Sequence, residues 1–250
     1  MKKLFTLLPA LVLFMSLAAQ DSTAPAPQTP AVKRDWSQVN LSNRPNDHFM
    51  IQLGYNGWSQ KPDTINTRGL SRSFNMYFMF DFPFKTSPRF SVGIGAGFGS
   101  DNVFFDKTDI DITGQNNNTL TFRNVADTNH FKKLKINTTF LEIPVELRFA
   151  SNPVTPNRSW KIAIGGKVGT LVSAYTKAKN FQNKSGGTIN AFTRKEKAKR
   201  FFNGTRLAVT GRVSYGIFGI YGMYQINAFV KEGMGPDVRP FQLGLTLSGL

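Results

Sequence analysis

The stretch SFNMYFMFDF at residues 73–82 decides the fold class, because its apolar residues recur at every second position. One face would carry Phe74, Met76, Phe78, Phe80 and Phe82, and the other Ser73, Asn75, Tyr77, Met79 and Asp81. Side chains leave a β-strand on alternate faces of the pleat, so a period of two predicts a strand. The stretch is longer than the roughly 5–6 residues usual in soluble proteins.

Seven other segments repeat this alternation, beginning near residues 49, 90, 141, 160, 207, 218 and 241. No convincing helix follows the N-terminal segment. The apolar parity changes near Phe140–Leu141, which predicts a β-bulge. The connections are predicted at 59–69, 84–89, 102–132, 150–158, 178–203, 216–217 and 231–238. Counted in order, the odd connections are long or polar and the even ones are short.

Composition limits the chemistry that the chain can perform. The 250 residues include 31 Lys and Arg against 15 Asp and Glu, a formal net charge of +16, and no cysteine. The lack of cysteine excludes disulfides, cysteine-ligated zinc, iron–sulfur clusters and cysteine nucleophiles. The basic balance admits nucleic acid, an anionic membrane surface or an acidic small ligand as partner.

The N-terminal segment indicates export. Two lysines precede an apolar run over residues 4–17, and small residues follow it. This order is typical of a cleaved signal peptide, which we predict at residues 1–20. Residues 21–46 are rich in proline and predict an extended periplasmic linker, so the folded body occupies residues 47–250. Export argues against nucleic acid as the partner.

Two architectures fit eight long antiparallel strands in an exported protein. A soluble barrel or sandwich buries its apolar face, whereas a transmembrane barrel turns that face to lipid. The strands match the roughly 9–11 residues that cross a bilayer at a tilt, and the glycine-rich polar face at 93–99 suits a narrow lumen. Long connections that alternate with short ones are typical of outer-membrane barrels. The sequence therefore predicts an all-β, eight-stranded antiparallel up-and-down transmembrane β-barrel, whose long connections lie at the outer end.

The segment FLEIPVELRF at residues 140–149 resembles a recurring strand of the outer membrane protein β-barrel domain family, the small PorT-like barrels of Gram-negative bacteria. In that family an aromatic residue precedes LEIP and alternating apolar residues. The glycine-rich strand at 91–99 and the pair Gly244–Leu245 are similar to the family too. The resemblance spans residues 48–250. It implies an integral outer-membrane location and insertion by the barrel-assembly machinery.

Six charged residues fall on the predicted lumen face, namely Glu142, Glu146, Arg148, Lys161, Lys167 and Arg212. One antiparallel register can place Glu146 beside Lys161 and Glu142 beside Lys167. Isolated burial of a charge is very costly, so these groups must be paired or hydrated. We favour an ionic plug of the lumen over the alternative, a catalytic carboxylate pair of Glu142 and Glu146.

The second outer connection contains four aspartates, Asp101, Asp106, Asp109 and Asp111. Asp109 and Asp111 have the spacing that begins a calcium loop, but the twelfth position is Leu120, where a bidentate glutamate is required. The sequence therefore favours a solvated acidic loop over a calcium site.

The third outer connection is strongly basic. Residues 177–200 carry a net charge of +7, with Glu196 against Lys177, Lys179, Lys184, Arg194, Lys195, Lys197, Lys199 and Arg200. Such a surface suits the phosphates of lipopolysaccharide. A solvated loop is the alternative.

We predict an integral outer-membrane barrel with a structural or binding role at the cell surface, without catalysis, cofactor or metal. His48 and His130 are predicted at opposite ends of the barrel, which leaves little room for a histidine dyad. The predicted partners are outer-membrane lipid and lipopolysaccharide, and not nucleic acid. The alternatives are a component or accessory of a secretion or assembly apparatus, a narrow pore and a barrel lipid-modifying enzyme.

Overall fold

The structure is a computed structural model and describes residues 48–114 and 118–249. The predicted signal peptide (1–20) and linker (21–46) lie outside the described residues. The strands are β1 (Phe49–Ser59), β2 (Arg72–Pro83), β3 (Phe90–Phe105), β4 (Thr108–Ile110), β5 (Phe122–Asn124), β6 (His130–Ala150), β7 (Trp160–Gln182), β8 (Thr188–Lys197), β9 (Thr205–Tyr215), β10 (Phe218–Gln225) and β11 (Arg239–Ser248). A 3-10 turn lies at Pro156–Arg158. No helix within the two described ranges has the length and hydropathy needed to cross a membrane.

Eight of these strands form a closed antiparallel ring, in the order β1, β2, β3, β6, β7, β9, β10 and β11. Pairing of β1 with β11, from Met50 opposite Ser248 to Ser59 opposite Arg239, closes the ring. The predicted eight-stranded up-and-down barrel is therefore confirmed. The bulge expected near Phe140–Leu141 is present as a shift of the β6–β7 register between Thr139 and Phe140.

The outward face of the ring is a continuous apolar band. Leu245, Phe218 and Ile164 expose 67%, 66% and 64% of their surface, and most of the large apolar residues of the strands point the same way. Polar residues of the opposite parity, such as Gln242 and Asn75, are buried inside. An apolar exterior around a polar interior is the pattern of a barrel in lipid, which excludes the soluble alternative.

Two of the predicted outer loops, 102–132 and 178–203, contain strands, so their predicted bounds were wrong. β3 continues to Phe105 and β6 already begins at His130, which leaves a short β4–β5 hairpin between them. β7 runs on to Gln182 and pairs with β8, an additional strand beside the ring. These segments lie beyond the lipid, where both faces of a strand are wetted or covered by loops. They therefore lack the alternation that marks a membrane strand.

The outer end of the barrel is closed by a hydrophobic cap. Every outer connection contributes buried side chains to it: Ile65 from β1–β2, Ile110, Ile112 and Leu120 from β3–β6, Phe201 and Phe202 from β7–β9, and Phe229, Val230 and Val238 from β10–β11. They pack on lumen-facing residues at the strand ends, including Trp58 and Phe140. The second connection thus contains buried apolar residues, while Asp106 remains exposed. Its aspartates lie around a packed apolar segment, and Asp101 points into the lumen.

Candidate functional site

The centre of the lumen is a fully buried network around Arg206. One guanidinium nitrogen donates to Glu142 at 3.0 Å, a second forms an ion pair with Asp101, and Nε donates to Gln225 at 3.1 Å. The guanidinium also stacks 3.8 Å from the ring centroid of Phe140, which connects the network to the cap above. The Arg206 cation thus has a protein partner for each of its three nitrogens.

The predicted pair of Glu142 and Lys167 is present in the same network. Lys167 Nζ lies 2.9 Å from Glu142 Oε2, and Tyr77 donates its hydroxyl proton to the same oxygen. Lys167 also contacts the Tyr77 hydroxyl at 3.0 Å. The two paired residues are not directly opposite, because Pro144 faces Lys167 and Gly169 faces Glu142. The contact is a diagonal one, made by long side chains.

A second cluster lies nearer the end with the short connections. Glu146 accepts from Arg148 at 2.9 Å and from Arg212 at 2.8 Å, and Arg148 also lies 3.5 Å from Asp81. The register predicted for Glu146 and Lys161 is wrong, because the two residues are not side by side. The register places Gly165 opposite Glu146 and Ala150 opposite Lys161, because the two strands pair right up to their shared turn.

All six lumen residues named from the sequence are buried in the barrel, and glycines make room for some of them. A Cβ added at Gly93 would lie 2.5 Å from Arg148 Nε, and one at Gly99 would lie 2.8 Å from Glu142 Oε2. The sequence prediction missed Arg206 as well as the lumen position of Asp101. Both have the lumen parity of their strands, but each lies just beyond the alternating run from which the strand was predicted.

The lumen carboxylates are poorly arranged for catalysis. Glu142 and Glu146 are each held by two cationic side chains and are shielded from solvent. Within residues 48–114 and 118–249, no group of three His, Asp or Glu side chains could hold a metal ion. His130 begins β6 and bonds the carbonyl of Thr128, whereas His48 contacts the carbonyl of Met79. The site is a packed ionic core.

The structure does not bring together the eight basic residues predicted as an outer loop. β7 and β8 direct Lys177, Lys179, Lys195 and Lys197 outward, on the face that continues the lipid-facing wall. Arg194 lies on the opposite face of β8, 3.6 Å from Asp109 and 3.5 Å from Glu196. Lys184 occupies the β7–β8 turn and Lys199 follows β8. Arg200 stacks 4.3 Å from the ring centroid of Phe201 in the cap.

Comparison with known proteins identifies the family. The family model described as outer membrane protein β-barrel domain matches residues 36–248. The chain belongs to this family. Among solved structures, the crystal structure of Ail, the attachment invasion locus protein of Yersinia pestis, in complex with the heparin analogue sucrose octasulfate is similar. It is 14% identical, covering 81% of this chain and 97% of that chain, with a TM-score of 0.35. No curated protein matches the chain.

As a member of the outer membrane protein β-barrel domain family, the protein is integral to the outer membrane. The three short connections, at 84–89, 151–159 and 216–217, lie at one end of the ring. In such barrels the short turns face the periplasm and the longer connections face outside. This rule predicts that the cap and the extension of β3, β6, β7 and β8 lie on the cell exterior.

Proposed function

We propose that the protein is a sealed, non-conducting outer-membrane barrel with a structural and binding role at the cell surface. The observation that carries the proposal is the double closure of the lumen. The ionic network around Arg206 fills its middle, and the hydrophobic cap covers its outer mouth. A ligand that approaches from outside therefore meets only the outward surfaces of the cap and of the sheet extension.

The binding role is proposed for the basic outward surface of β7 and β8, which is formed by Lys177, Lys179, Lys195 and Lys197. Lipopolysaccharide is the proposed partner, because its phosphates are anionic and ammonium and guanidinium groups suit them. Outer-membrane lipid surrounds the apolar band, and the barrel-assembly machinery is the proposed partner during insertion. Glu142 and Glu146 are each paired with two cationic side chains, which supports a role without catalysis. A role as an accessory of a secretion apparatus remains the alternative, to be tested by pull-down from detergent-solubilised outer membranes.

Closure of the lumen is tested by conductance in planar bilayers. The wild-type protein is expected to give no discrete conductance steps, because ions would have to cross both the ionic core and the apolar cap. Heat-modifiable migration on gels, measured on the same preparation, is the control that the barrel is folded. Reproducible single-channel steps from folded protein would overturn the proposal in favour of a narrow pore.

A further inference from the structure

The outward face of the sheet extension carries a row of lysines that the strand register aligns. Lys135 on β6 is directly opposite Lys177 on β7, and Lys177 is directly opposite Lys195 on β8. Directly opposite residues of antiparallel strands have Cβ atoms about 4.5–5.5 Å apart, and like charges in these positions are destabilising. A bound anion would therefore stabilise this arrangement of three ammonium groups on adjacent strands.

Among the residues that the structure describes, no acidic side chain pairs with this row. Lys133 and Lys179 form the next opposite pair on the same face, and Arg72 lies near Phe104 on its far side. Among the described residues, none of these six cations forms a salt bridge. The nearest acid of β8, Glu196, points to the other face, where it meets Arg194.

The charge is also crowded at Lys135, which lies on β6 beyond the apolar band. Partial burial and the neighbouring charges of Lys177 and Arg72 lower the pKa of its ammonium group. The side chain donates to Asn102 at 2.6 Å, and its Nζ lies 5.8 Å from the ring centroid of Phe104. These contacts hold the cation in place without neutralising it, so the charge remains open to a ligand.

The lysines line a concave surface with an apolar floor. One groove of about 300 Å³ and a second of about 220 Å³ lie side by side and share Phe104, Lys133 and Leu134 in their walls. Beside them, Tyr175 has Lys195 Nζ 4.3 Å from its ring centroid. Cations above apolar and aromatic surface suit a ligand that is itself amphiphilic, with a charged group beside a hydrophobic one.

The direction of this surface identifies the source of the ligand. Along β7, Val168 and Val172 face lipid; the register shift beside Val172 then changes the parity, and beyond it Tyr175, Lys177 and Lys179 take the less buried face. An aromatic residue followed by cations marks the boundary between the apolar band and the headgroups. The row therefore opens sideways into the outer leaflet, next to lipid headgroups, and away from the tip of the barrel.

We propose that Lys135, Lys177 and Lys195, assisted by Lys133 and Lys179, bind the phosphate groups of a phosphorylated glycolipid of the outer leaflet, as lipid A presents them. This inference rests on the proposed surface-binding role and assigns that role to one site and one ligand class. The phosphate oxygens accept from the lysine row, and the apolar part of the lipid lies against the band below.

The test measures binding of bisphosphorylated lipid A in neutral mixed micelles to the full-length barrel and to two variants that each lose three charges. The row variant is K135Q/K177Q/K195Q, and the matched control is K85Q/K107Q/K231Q, whose lysines are exposed but lie outside both the row and the basic segment 177–200. The Kd of the row variant is expected to rise on the order of 100-fold. The Kd of the control is expected to change less than about fivefold.

Three further arms separate the possible causes. K135R/K177R/K195R is expected to retain binding, because it keeps the charge. Dephosphorylated lipid A is expected to bind weakly, and inorganic phosphate at the same concentration is expected not to displace the lipid.

Equal weakening of binding in the row and control variants would overturn the site in favour of a diffuse effect of positive charge. No weakening of the row variant, or displacement by inorganic phosphate, would also overturn it. Conductance by the wild-type barrel would instead overturn the proposed function and leave these binding results standing.

Discussion

Replacing Arg206 with methionine is expected to lower the free energy of unfolding by about 3–5 kcal/mol, because a buried charge network then loses one of its two cations. Arg206 is 0% exposed and contacts both Asp101 and Glu142. Lys167 would still balance Glu142, but among the described side chains Asp101 would keep the amide of Gln242 alone as a partner. Guanidinium titration of the barrel folded in phospholipid vesicles measures the loss.

Arg123→Met is the matched control for this effect. Arg123 forms a comparably short ion pair with Asp109, at 2.6 Å, but its side chain is 66% exposed. Loss of such a pair should cost about 0–1 kcal/mol. Adding Asp101→Asn to Arg206→Met should recover part of the lost stability, because the net buried charge returns to zero. Equal losses in the Arg206 and Arg123 variants would contradict the assignment of the network as the ionic core of the lumen.

Replacing Gly244 with valine is expected to weaken the seam that closes the barrel. Gly244 on β11 is directly opposite Gly54 on β1. A Cβ at residue 244 would lie 2.1 Å from the carbonyl oxygen of Leu53 and 2.4 Å from the Cα of Gly54, so the backbone of β1 must move. Overpacking of this kind costs typically 1–3 kcal/mol, and more where backbone is displaced. The yield of heat-modifiable barrel after refolding, measured on gels, should therefore be lower for Gly244→Val than for the wild-type protein.

Gly211→Val provides the comparison, since no atom lies within 4 Å of a Cβ at residue 211. There the added side chain should be neutral or stabilising, because glycine in a strand carries an entropic cost of about 0.5–1 kcal/mol. If the two valine variants refolded with the same yield, close approach of β1 and β11 at Gly244 would not be a requirement of closure.

The alternation in the sequence was sufficient to predict the wall of the barrel. Phe74 to Phe82, and likewise Leu141 to Phe149, lie with one face in lipid and the other in a polar lumen, so each position has only one suitable chemistry. The same parity explains why Glu142 and Lys167 could be placed on the lumen face together. The wall is predictable because two different solvents, lipid and the packed lumen, act on alternate residues.

The parts that the sequence did not predict lie where this contrast ends. Most of the segment from Lys177 to Lys197 belongs to β7 and β8, but it lies beyond the apolar band, where the hydrocarbon of the bilayer acts on neither face, and the pattern was therefore interpreted as a loop. Partners across the lumen depend on side-chain length as well as register, so Arg212 pairs with Glu146 where Lys161 had been expected. The cap was missed because Ile65, Phe202 and Phe229 come from irregular segments that have no period.

The cap gives the two ends of the molecule different thermodynamics. Residues of the lipid-facing band remain in an apolar solvent whether or not the strands are ordered, whereas Ile110, Phe202 and Phe229 would be exposed to water on opening. Only the second process carries the positive heat capacity change of hydrophobic hydration. The outer end should thus respond to temperature as a small soluble protein does. It should open with a curved stability profile and weaken on cooling as well as on heating, while the wall of the barrel in the membrane stays folded.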